Sequence, residues 1–305
     1  MRLALLLTLC ACRATPPAPA AAERLDVAVT FDDLPRHGPE VPGVSRLQIH
    51  HQILAALRKH GVPQVYGFIN GKNLEGHPED RTALEAWVAA GHPLGNHTYS
   101  HLAPDDVPAY LADIDRNEPL LRELMPGAEQ RWKVFRYPFL KQGQTLEARN
   151  AIRAHLAGRG YRIAETTIDF GDFAWNDPYA RCLARGDGAA IEELKASFLE
   201  AASVFLAFDD SLAQRLFHRR ISHLLILHVG AFDALMIDAL LDLYQRSGVR
   251  FVPLEAALAD EVYREDPPVA PTSGDILQEE VVTARGLKLI PWPQEPLKGL
   301  EAMCR

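Results

Sequence analysis

Two adjacent carboxylates, two imidazoles four residues apart, an arginine, an acidic aromatic segment and a strand-end histidine are the side chains here that could do chemistry. Asp32 and Asp33 directly follow the apolar run Asp26 to Phe31, and the carboxyl ends of strands are where α/β folds place reacting groups. Neighbouring carboxylates at such an end point apart, so one can bind a cation while the other stays free as a base. In His97-Thr98-Tyr99-Ser100-His101 the two imidazoles share one face if the segment is a helical turn, and can then converge on one metal. With one aspartate they make a facial set that leaves positions open for water and substrate, as hydrolysis requires. Two imidazoles and a carboxylate accept several divalent ions, among them zinc, cobalt, nickel and manganese.

Arg136-Tyr137-Pro138-Phe139 follows the strand expected at Lys133 to Phe135, which brings a guanidinium and a rigid turn to the same face as the Asp pair. Arg136 could orient Asp32 by a bidentate contact. Asp169 to Trp175 follows a strand expected at Tyr161 to Thr167 and sets Asp169 and Asp172 beside Phe173 and Trp175. His228 stands near the end of a strand expected at His223 to Val229. Each feature alone has an ordinary reading: a capped turn, a structural Arg-Asp pair, packed aromatics, a scaffold histidine. Their shared position at strand ends sets them apart.

The elements that position these residues alternate short β-branched or aromatic runs with longer stretches of helical apolar spacing, the pattern of repeated β-α units around a parallel sheet. That favours a barrel or a doubly wound sheet. Strands are expected at Asp26 to Phe31, Gln64 to Ile69, Lys133 to Phe135, Tyr161 to Thr167, His223 to Val229 and Arg250 to Val252, with one or two more hidden. Helices are expected at Ser45 to His60, with Ser45 as N-cap and Gly61 as stop, and at Glu79 to Ala90, Val107 to Leu124, Gln144 to Gly158 and Phe232 to Ser247. Residues 178–220, including a helix at Ile191 to Phe208, interrupt the rhythm as a helical insertion, expected to wall the substrate groove. From residue 266 onward the chain is Pro-rich without strong periodicity, an extension expected to wrap the surface or stay partly disordered.

A chain of 305 residues with 48% hydrophobic composition can bury the core of a single catalytic domain, here residues 25–265. The formal net charge of −8 supplies no basic footprint for nucleic acid. Met1-Arg2 and the apolar run Leu3 to Leu9, followed by small residues and a Pro/Ala linker to residue 24, read as an export signal. The run is far short of the roughly 20 residues that span a bilayer. Leu9-Cys10-Ala11-Cys12 resembles a lipoprotein processing box that would anchor the chain at Cys12, while cleavage in the run Ala18 to Ala22 is the other reading. A periplasmic or cell-envelope location is expected either way. Cys182 and Cys304 then remain, which implies no disulfide framework.

In this order the motifs resemble those of the polysaccharide deacetylase family, carbohydrate esterase family 4, over about Leu25 to Leu258. Thr30-Phe31-Asp32-Asp33 is similar to its first motif, His97 to His101 to its second, Arg136 to Phe139 to its third, Asp169 to Trp175 to its fourth and Ile226-Leu227-His228 to its fifth. The resemblance implies a distorted (β/α) barrel of seven or eight strands in one domain. It implies that Asp33, His97 and His101 bind a divalent metal, usually zinc, and that Asp32 is the general base, oriented by Arg136. His228 would be the general acid with Asp172 as its partner, Asp169 being the alternative. The Phe139 amide would help hold the oxyanion, and Phe173, Trp175 and Ile226 would line a pocket for the acetyl methyl. The implied substrate is an acetylated carbohydrate. The sequence departs from the family at Leu34, where a glycine usually stands, at Phe139, more often Tyr, and at Ile226, more often Leu. The rival readings are hydrolysis of a non-sugar amide on the same site, and a glycan-binding protein without turnover.

Overall fold

The computed structural model describes residues 24–305; the expected export signal, Cys12 and nearly all of the Pro/Ala linker lie outside them. Seven parallel strands form the sheet: β1 (Leu25–Leu34), β2 (Tyr66–Ile69), β3 (Leu94–Asn96), β4 (Val134–Phe135), β5 (Arg162–Ile163), β6 (His223–His228) and β7 (Val249–Phe251). Their order is β5-β4-β3-β2-β1-β6, and β7 pairs the first residues of β1. Beyond β5 the chain crosses to β6: the amides of Thr167 and Ile168 donate to Leu224 O, and the Ile226 amide donates to Ile168 O. The sheet therefore curls back on itself as a distorted barrel. This crossing explains why the expected strand at Tyr161 to Thr167 is a ladder at only two residues.

Alternation along β1 and β6 divides their side chains between two cores. Val27, Val29 and Phe31, with Leu225 and Leu227, pack outward against the helices, and Ala28 and Leu224 pack inward with Tyr66, Phe68, Val134 and Ala164. The inward set continues upward through Thr30 and Asp32 on β1 and Ile226 and His228 on β6, which the register pairs side by side. The mouth of the barrel thus opens where the apolar interior gives way to these polar residues.

The helices cover the outer layer. Arg46–Lys59 starts at a capping box between Ser45 and Gln48, and Val107–Leu124 has the expected bounds. The insertion holds two helices, Asn176–Arg185 and Gly188–Phe217. The second has 30 residues and buries Leu194, Phe198, Phe205 and Leu212. Among the described residues, no helix is long and apolar enough to cross a membrane.

The C-terminal extension differs from expectation. It carries the helix Leu277–Ala284, whose Leu277, Val281 and Val282 are buried against Leu212, Leu216 and Ile221. Eight residues offer too few turns for a period to show in sequence. Cys182 and Cys304 form a disulfide that ties the chain end to the helix Asn176–Arg185. Two cysteines 122 residues apart gave no spacing signal for it.

Candidate active site

Every segment singled out in the sequence reaches the same end of the barrel. Asp32 continues the inward face of β1, and strict alternation would send Asp33 outward. Asp33 instead has φ 63°, in the left-handed region that non-glycine residues rarely adopt, and the β1–β2 register shifts between Phe31 and Leu34. Strained backbone of this kind concentrates at functional sites. Here it delivers two successive carboxylates to one place. Leu34, where the family has glycine, is buried, and a side-chain carbon on the neighbouring Gly67 would lie 2.4 Å from it.

The segment His97 to His101 is a loop, not the expected helical turn: Thr98 and His101 have φ of 59° and 55°. Side chains of the surrounding elements hold its backbone. The amides of Thr98 and Ser100 donate to Asn96 Oδ1 and Asp113 Oδ2, and Asn70 Nδ2 donates to the carbonyls of His97 and Thr98. The imidazoles still converge, with ring centroids 5.0 Å apart.

Asp33 Oδ1 lies 3.5 Å from His97 Nε2 and 3.2 Å from His101 Nε2, and it is buried without a hydrogen-bond donor. His97 Nδ1 lies 2.8 Å from the Arg136 carbonyl. A carbonyl only accepts, so Nδ1 carries a proton there and Nε2 is the ring nitrogen turned toward Asp33. Burial pushes His101 down to about 4, outweighing the attraction of Asp33. Burial would raise the Asp33 carboxyl, but the hydrogen bond from His37 and the nearby imidazoles hold it well below the usual range. An ionised carboxylate with an undonated buried oxygen, a neutral His101 imidazole and the Nε2 atom of His97 make a donor set that suits a divalent cation.

Asp32 is almost fully buried, with Oδ2 3.6 Å from both His97 Nε2 and Arg136 Nη1. The expected bidentate contact is not what Arg136 makes. Its Nε donates to Ala164 O and its Nη2 to Thr30 Oγ1, so only one nitrogen is left to approach Asp32.

His228 stands opposite. Asp172 grips it twice: Oδ1 lies 2.7 Å from Nδ1, and Oδ2 accepts the His228 amide at 2.6 Å. Burial would lower the His228 imidazole, but the Asp172 carboxylate raises it to about 10. Asp169, the alternative partner, accepts the Gly171 amide instead, and burial pushes its carboxyl up to about 6.

The expected pocket residues separate. Phe139 and Phe173 stand half exposed at the mouth, Phe139 edge-on to His101 and Phe173 edge-on to His228. Trp175 is fully buried; its Nε1 donates to Ser197 Oγ and its ring packs on Phe170 and Phe198. Ile226 lies inside with Leu140.

His37 has no counterpart in the sequence reading. Its Nδ1 is 2.8 Å from Asp33 Oδ2 and its ring lies 4.6 Å from that of His228. Arg46 fixes the loop that carries it, donating to the carbonyls of His37 and Gly38. The available signal was its spacing, four residues after Asp33, as His101 is four after His97. Among the described residues, the groups of three side chains able to hold a metal are Asp33 with His97 and His101, and Asp33 with His37 and His228. The second is already engaged internally through the Asp172 and Asp33 hydrogen bonds.

Residues 21–156 match the family model described as polysaccharide deacetylase. The match takes in Asp32, Asp33, His97, His101 and the Arg136 to Phe139 segment and stops before Asp172 and His228. A peptidoglycan-N-acetylglucosamine deacetylase of Bacillus cereus is 35% identical over 126 residues, 41% of this chain and 38% of that protein. The matched stretch thus spans well under half of that relative. Among solved structures, a chitin deacetylase from the fungal pathogen Colletotrichum lindemuthianum has a TM-score of 0.53 at 21% identity, covering 78% of this chain and 89% of its own. A CE4 family pseudoenzyme from Bacillus anthracis has a TM-score of 0.50 at 14% identity, covering 78% and 66%. At these identities the two structures speak to the fold.

Proposed function

We infer that this chain, which resembles the polysaccharide deacetylase family as its motifs indicated, is a metal-dependent hydrolase that removes acetyl groups from the nitrogen or oxygen of a carbohydrate. The observation that carries this reading is Asp33 Oδ1, buried without a donor and faced by the Nε2 atoms of His97 and His101, with Asp32 on one strand and His228, held by Asp172, on its neighbour. A divalent ion held by Asp33, His97 and His101, zinc foremost, would supply Lewis acidity toward the acetyl carbonyl and the attacking water.

The remaining work falls to side chains. Asp32, with Arg136 Nη1 3.6 Å from its Oδ2, takes the proton of the water as it attacks. The Phe139 amide donates to the oxyanion as charge develops there. His228 is held protonated by Asp172 and gives that proton to the departing amine or hydroxyl. Base and acid come from paired positions of β1 and β6, so the carbonyl can sit between them. The half-exposed Phe139 and Phe173 offer faces for a sugar ring at the mouth.

A sugar substrate of the cell envelope is supported by the name of the Bacillus cereus relative and by the export signal read at residues 1–24. The matching test is acetate release by the purified chain from chitooligosaccharides, peptidoglycan fragments and acetylated xylan. Release from at least one is expected. No release from any, alongside turnover of a non-sugar acetamide, would transfer the site to the amide reading.

A further inference from the structure

The C-terminal extension runs across the site rather than away from it. The amide of Gln142 donates to Pro271 O and that of Leu277 to Thr166 O, while the side chain of Gln278 donates to Thr167 O. Residues 271–278 thereby strap the Phe139 to Gln142 turn to the segment that crosses from β5 to β6. Gly274 meets that turn so closely that a side-chain carbon would lie 2.3 Å from the Phe139 carbonyl oxygen, and its φ of 88° independently calls for glycine. The strap then inserts Ile276, which is 1% exposed and packs with Leu140 and Ile226 in a small apolar cluster separate from the main cores.

The position of that cluster follows from the register. Ile226 is two residues before His228 on the inward face of β6 and pairs with Thr30, as His228 pairs with Asp32. Ile226 therefore lies one step beneath the proposed acid, beside the residue one step beneath the proposed base. A carbonyl between Asp32 and His228 would point its alkyl group at this floor. We propose that Ile276, carried in by the C-terminal strap, closes the acyl pocket from beneath and limits the accepted acyl group to about the length of acetyl. The proposal rests on the deacetylase reading for its substrate class.

The test compares p-nitrophenyl acetate, propionate and butyrate as probes of the full chain, its Ile276→Ala variant and its Ile276→Val variant. One methylene in an apolar pocket is worth roughly tenfold or more in discrimination. Ile276→Ala should raise the butyrate-to-acetate ratio of kcat/KM by about tenfold or more, with Ile276→Val smaller in the same direction. An unchanged ratio in variants that melt as cooperatively as the parent overturns the proposal. A second readout needs no turnover: melting in the presence of acetate, propionate or butyrate ions. Butyrate should protect Ile276→Ala more than the parent, and equal protection, or none by any of the three, again overturns the strap's role. Turnover of no acetyl probe by the parent would count against the deacetylase reading alone, because carboxylate protection still decides the pocket.

Discussion

At the scale of single residues, the site depends on a backbone conformation that Asp33 adopts at a cost. A non-glycine residue at φ 63° is uphill by about 1–3 kcal/mol, and the hydrogen bond between His37 and Asp33 Oδ2 is one of the contacts that hold the side chain once it is there. Partners that orient a metal ligand typically matter by 10–100-fold in metal affinity. Replacing His37 with Ala is therefore expected to weaken binding of zinc by about that factor in equilibrium dialysis, with the fold intact by circular dichroism. Unchanged affinity would make His37 a spectator. His228 makes a different prediction, because its proposed role is that of the general acid. His228→Ala should lower kcat for an acetylated sugar by about 10²–10⁴-fold while metal content stays at the parent level. Loss of metal together with activity would reassign His228 to the ligand shell.

The residues that carried the resemblance were legible because they are polar side chains at strand ends, a signal written in sequence order. What could not be read was how they meet. The His97 to His101 pair converges from a loop with two left-handed residues, and side chains of Asn70, Asn96 and Asp113 hold that loop. Arg136 spends its donors on Ala164 and Thr30, which no local pattern announces. His37 enters through a turn pinned by Arg46, a tertiary contact.

At the scale of elements, the long periodic helices and six of the seven strands were visible, and the strand Leu94–Asn96 was not. Val107–Leu124 and Arg46–Lys59 stand where apolar spacing and caps put them. Leu94–Asn96 is three residues, Leu-Gly-Asn, too short to alternate and without a β-branched residue. A side-chain carbon on Gly95 would come within 2.6 Å of Phe68, so this strand is chosen by close packing rather than by propensity. The helix Leu277–Ala284 was hidden likewise, and it carries a titratable liability. Burial and the neighbouring Glu165 push the Glu280 carboxyl up to about 9, against 4.5 ordinarily, although Gln142 donates to it. The folded chain therefore holds a proton there that the unfolded chain releases above about pH 4.5. This group's contribution to stability is complete below that pH and is lost as pH rises toward about 9. Thermal melts of Glu280→Gln should show a flatter decline than the parent between about pH 4.5 and 9, and the variant should be the more stable at the alkaline end. Parallel curves would place the charge elsewhere.

At the scale of the whole molecule, the family resemblance is densest in the first half, where the family match lies, yet the proposed acid and its partner come from the second half. The chain's end returns to the site as well, strapped over Phe139 and fastened by the Cys182–Cys304 disulfide. A cross-link closing so long a loop typically stabilises by about 2–4 kcal/mol. Denaturant unfolding of the reduced chain, or of Cys304→Ser, should show a loss of that order, and the absence of any loss would mean that the strap's own packing suffices.

The proposed chemistry depends on one cation held by Asp33, His97 and His101, and acetate release before and after chelation is the measurement that decides it. Release from an acetylated glycan should vanish in chelator, return on adding a divalent ion, and fail to return in Asp33→Ala. Release that persists in chelator, or that a divalent ion restores equally well in Asp33→Ala, would contradict it.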